Sequence, residues 1–120
     1  MKLAAFLIDL VLLLAFVLIG RASHDENPVL GALGTLWPFA AGLVIGWVVS
    51  RAWRAPLALV RSGIPIWIAT VALGMVLRVV SQQGIKPSFV VVATIVLAIF
   101  LLGWRAIARL VVRRRAGARA

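Results

Sequence analysis

Four apolar runs fill this chain almost end to end, at residues 3–20, 29–49, 64–80 and 88–110. About 20 mostly apolar residues wind into a helix long enough to cross the hydrocarbon of a bilayer, so each run is close to one crossing. Backbone polar groups in lipid have no water to bond, which leaves helices as the way to pair them within each run. Composition closes off the soluble alternative. Of 120 residues, 64% are hydrophobic, and the mean hydropathy is +1.14. A soluble domain of this size has too few polar residues to cover such a core. The expected fold is therefore all-α, a bundle of four transmembrane helices. Residues 1–112 form the membrane domain and residues 113–120 a basic, frayed tail.

The first run could be read as a signal peptide, but it is longer than the usual apolar core of one. Asp9 interrupts it, and Gly20-Arg21-Ala22 is a poor cleavage site, so it is expected to stay as a helix. Pro28 marks a turn after the polar segment that holds Arg21, His24, Asp25 and Glu26. The second run contains Pro38 and is expected to be a kinked helix from about Val29. Gly34, Gly42, Gly46 and Ser50 share one side of it, and with Trp37 and Pro38 they mark the packing face of the hub helix. Small side chains let helix backbones approach closely in lipid, and Gly42-x-x-x-Gly46 has the spacing of a pairing motif.

The net charge of +10 could suggest nucleic acid, but the basic residues flank apolar runs, so none is expected as a partner. Lys2, Arg51, Arg54, Arg61 and the six arginines from Arg105 onward fall on one side of the membrane. Arg21 and Lys86 fall on the other, with Arg78 just inside. The positive-inside rule then predicts both termini in the cytoplasm, in a multi-pass inner-membrane protein. The cytoplasmic arginines are expected to meet anionic lipid headgroups. Trp47, Trp53, Trp67 and Trp104 are expected near the cytoplasmic interface, and Trp37 near the outer one.

Two places could carry chemistry. Asp9 lies about two turns into the first span, and a carboxylate at the bilayer centre costs about 2.5–3.5 kcal/mol on insertion scales, less near an end. Either it binds a proton or cation, or it pairs with an arginine of another helix. Arg105 is the partner that depth selects, being about 25 Å down the fourth span at 1.5 Å per residue. The second place is an outer polar cluster of Arg21, His24, Asp25, Glu26, Arg78 and Gln82. Thr70, Gly74, Arg78 and Gln82 follow at steps of four, as a polar stripe widening outward. Arg78 there could hold an anion through its planar fork, or pair with nearby acids. His24, Asp25 and Glu26 are adjacent in sequence and cannot easily converge on one ion, so no metal is expected. With one histidine and no cysteine, no catalytic residue or cofactor is expected.

Several landmarks combine into a resemblance. Asp9, Gly20-Arg21-x-Ser23-His24, Trp37-Pro38-Phe39-x-x-Gly42, Gly74-Met75-x-x-Arg78 and Gly103-Trp104-Arg105 resemble the small prokaryotic membrane proteins of domain of unknown function 3054, over nearly the whole chain. The resemblance implies a four-helix membrane protein and no particular activity. The expected role is a non-enzymatic subunit that assembles with itself or with a larger membrane protein. The alternative is a small proton- or ion-coupled transporter or channel using Asp9, with an outer anion-accepting site at Arg78 and His24.

Overall fold

The computed structural model describes residues 2–21, 28–83 and 87–119. Four long helices dominate it: α1 (Lys2–Arg21), α2 (Pro28–Ser50), α3 (Ile64–Val80) and α4 (Pro87–Arg119). All four are long and apolar enough to cross a membrane, the third beginning at Leu59 because a π-helical turn leads into it. The chief packings run around a ring, α1 on α2, α2 on α3, α3 on α4 and α4 back on α1. The molecule measures 54 × 27 × 24 Å. At 1.5 Å per residue α4 alone rises about 50 Å, so it sets the long dimension.

The closest packing is α2 on α3, and its cause is visible in two glycines. A Cβ on Gly42 would lie 2.7 Å from the Ala69 carbonyl oxygen, and one on Gly46 2.9 Å from the Ile66 Cα. Lipid tails are as apolar as leucine, so helices gain from such close contact rather than from escaping water. Gly74 on α3 leaves room for the ring of Phe39. Phe39 then meets Phe16 edge-on at 5.8 Å and Phe89 at 6.0 Å, filling the middle of the ring from α1, α2 and α4. The outward faces stay apolar, with Leu3, Val11, Ile19, Val49 and Ile99 among the exposed side chains, as lipid requires.

Several expectations need correction. A Cβ on Gly34 would meet nothing within 4 Å, so Gly34 is not part of the packing face. Trp37 is 46% exposed, whereas Pro38 is buried inside a helix that runs on through it. The stretch between α2 and α3 is no simple loop. It holds a 3-10 turn, Ala52–Arg54, and the π-helical turn Leu59–Gly63, in which the Gly63 N–H donates to the Ala58 carbonyl at 2.9 Å. Arg51 takes a left-handed conformation (φ 52°) to start it, and Ala52 and Ser62 are fully buried. The basic tail does not fray at 113. The helix continues to Arg119, because alanine and arginine are strong helix formers and cations suit a helix C-terminus.

Candidate functional site

The site is a carboxylate buried among four N–H groups. Asp9 is on the inward side of α1 between Ala5 and Leu13, and it is fully buried. From α4, Arg105 donates Nη1–H to Oδ1 at 2.8 Å and Nη2–H to Oδ2 at 2.7 Å. The Trp104 indole donates to Oδ1 at 2.7 Å, and from α2 the Trp47 indole donates to Oδ2 at 2.8 Å. Each oxygen therefore accepts two charge-matched or indole hydrogen bonds, which occupies the acceptor capacity of an ionised carboxylate. Charge-assisted, side-on pairs of this kind are the stronger hydrogen bonds in proteins.

Arg105 is equally engaged. Its Nε–H donates to the Pro56 carbonyl at 2.8 Å, and Nη1 also donates to the Leu101 carbonyl of its own helix at 2.9 Å. The guanidinium lies 4.8 Å from the Trp104 ring centre. Gly63 makes room for the shaft, since a Cβ there would approach Leu102 Cδ2 at 2.8 Å and Arg105 Cδ at 3.2 Å. One arginine thus ties α4 to α1 through Asp9 and to the α2–α3 connection through Pro56. Phe6 closes one flank of the site, edge-on to Trp47 at 5.5 Å.

Sequence reasoning reaches Asp9 as an acid within an apolar run and Arg105 through depth, but misses both indoles. It puts Trp47, Trp67 and Trp104 near the cytoplasmic ends of their helices and assigns their indoles no partner. Trp47 is buried, Trp104 is half-buried, and the Trp67 indole donates to the Thr94 carbonyl of α4 at 3.0 Å. The signal was available, because Trp104 adjoins Arg105. A half-polar indole near a buried acid finds a hydrogen-bond partner as readily as an interface.

Only part of the expected outer cluster falls within the described residues. His24, Asp25 and Glu26, and the side chain of Arg21, lie outside the described residues. The stripe of Thr70, Gly74, Arg78 and Gln82 is not a polar surface. Thr70 donates to the Ile66 carbonyl of its own helix at 2.7 Å, and Gly74 is covered by Phe39. Helix α3 ends at Val80, and Gln82 follows in a left-handed turn (φ 64°), off the helical register. Arg78 folds over Phe89 at 4.6 Å and donates to Gln83 at 3.2 Å, which binds α3 to α4 at that end.

Taken together, these features define a class: a small all-helical protein, with four helices fit to cross a membrane and one buried ion pair among the described residues. The chain belongs to the family of proteins of unknown function DUF3054, which matches residues 6–108 and so includes the whole Asp9–Arg105 site. Neither the curated proteins nor the solved structures yield a match.

Proposed function

We propose that this protein is a non-enzymatic membrane subunit, assembling with copies of itself or with a larger membrane partner, with both termini in the cytoplasm. The observation that carries the reading is the closed coordination of Asp9. A coupling carboxylate must exchange its proton or cation during each cycle. Here a proton on either oxygen would have to displace one of four N–H donors held at 2.7–2.8 Å. The aromatic trio of Phe16, Phe39 and Phe89 fills the ring further along the axis. An arrangement so fully paired suits a lock that fixes helix register. The outer surface is the part left to act, and every helix exposes large apolar side chains on it.

Native mass spectrometry of the tagged protein, extracted gently from its own membrane, tests this. A homo-oligomer or a stoichiometric second protein supports the assembly reading. A monomer in which Asp9→Asn leaves folding intact but abolishes proton or cation flux overturns it in favour of an ion-coupled transporter.

A further inference from the structure

Arg109 and Arg113 stand one and two turns beyond Arg105 on α4, beside a shallow groove lined by Leu59, Ala106, Arg109, Leu110 and Arg113. The groove has a cause in the backbone. Gly63 brings the end of the π-helical turn tight against Leu102, while the small side chain of Ala106 leaves a gap further along. Leu59 and Leu110 form the walls of that gap, and the two arginines, four residues apart, share one edge of α4.

Among the described residues, no acid pairs with these cations. The sequence contains three acids. Asp9 is consumed by Arg105 and the two indoles, and Asp25 and Glu26 stand in sequence between α1 and α2, outside the described residues. Arg51, Arg54 and Arg61 sit exposed at the same end as the groove and add to its positive field. Depth places the groove at the membrane surface. Counting about 20 residues from Pro87 for the hydrocarbon brings the edge near Ile107, so Arg109 and Arg113 emerge at headgroup level. Exposed Trp53, on the neighbouring connection, suits the same level.

We propose that this groove is a binding site for one anionic phospholipid. Its phosphate sits between the Arg109 and Arg113 guanidinium groups, and the upper part of an acyl chain lies along Leu59, Ala106 and Leu110. Planar guanidinium forks match phosphate oxygens, and the apolar walls account for a lipid rather than a free anion. The site needs only helices that cross a bilayer, so it stands or falls separately from the assembly reading.

Titration of the detergent-purified full chain with phosphatidylglycerol and with phosphatidylcholine, read by native mass spectrometry, tests it. Wild type should retain phosphatidylglycerol preferentially. R109Q/R113Q should lose about 25-fold in that affinity, at roughly fivefold for each basic residue near an anionic headgroup. R114Q/R115Q, which removes the same charge from the same helix, should keep most of it. Glycerol phosphate and inorganic phosphate should fail to displace the lipid. Equal loss in both double variants, or no lipid preference in wild type, overturns the site in favour of diffuse attraction. Displacement by either free phosphate overturns the lipid as occupant.

Discussion

Arg105 meets Asp9 side-on across 96 positions of sequence, Nη1 on Oδ1 and Nη2 on Oδ2 at 2.8 and 2.7 Å, with both side chains fully buried. The pair joins the beginning of α1 to the far part of α4 and so closes the ring of helices. Burying two ions costs more than their attraction returns unless the remaining donors and acceptors are also matched. Here Trp47, Trp104, Pro56 and Leu101 supply those matches.

Asp9→Asn should destabilise the protein by about 3–5 kcal/mol, the usual cost of removing one partner from a buried pair. The asparagine amide would point its own N–H₂ at two N–H donors whichever way it turned. Arg105→Gln should cost a similar amount, and D9N/R105Q should recover a substantial part of the loss. Thermal or denaturant unfolding in detergent checks this, and strictly additive losses would count against the lock.

Arg105→Lys should fail to substitute for arginine. An ammonium is one compact charge and cannot hold both Asp9 oxygens side-on while also reaching the Pro56 carbonyl. Each charge-assisted bond lost costs about 1.5–3 kcal/mol, so R105K should fall nearer to R105Q than to wild type. Its connection between Ala52 and Gly63 should also become the first site of protease cleavage, because Pro56 loses its anchor.

The four spans were legible because lipid demands one pattern, an unbroken apolar run, and nothing in this sequence competes with it. Asp9 and Arg105 were legible for the opposite reason, as charges out of place whose heights could be compared by counting residues. The two indoles were not, since tryptophan suits an interface and a buried acid equally well. The folded-in connection from Arg51 to Gly63 was hidden because its arginines point to solvent while Ala52 and Ser62, neither distinctive, are the residues buried. Gly34 misled because spacing places it on the face of Gly42 and Gly46, but α3 packs against the latter pair and leaves Gly34 open.

Gly42→Ala and Gly46→Ala should each destabilise the α2–α3 pair by about 1–3 kcal/mol, the range for forcing a methyl into a closely packed site. The obstacle is backbone: the Ala69 carbonyl for the first and the Ile66 Cα for the second. Neither can swing aside as a side-chain end would. Gly34→Ala and Gly103→Ala meet open space and should be neutral or slightly stabilising, because alanine restricts the unfolded chain. Unfolding midpoints of the four variants check the contrast.

The orientation proposed from charge can be read without disturbing the site, because the chain contains no cysteine. Arg54→Cys puts a thiol in the connection at the Asp9 end, and Gln82→Cys puts one in the turn after α3, where both native side chains are exposed. The α2–α3 connection and that turn lie at opposite ends of α3, so the two thiols would flank a membrane that α3 crosses. A membrane-impermeant maleimide should label Gln82→Cys in intact cells stripped of their outer barriers, and Arg54→Cys only after permeabilisation. The reverse pattern would put the arginine-rich end outside, against the positive-inside rule. Labelling of both before permeabilisation would mean that the chain inserts both ways round. Either result would remove the cytoplasmic assignment of the termini, while leaving the Asp9–Arg105 pair, which is indifferent to direction, untouched.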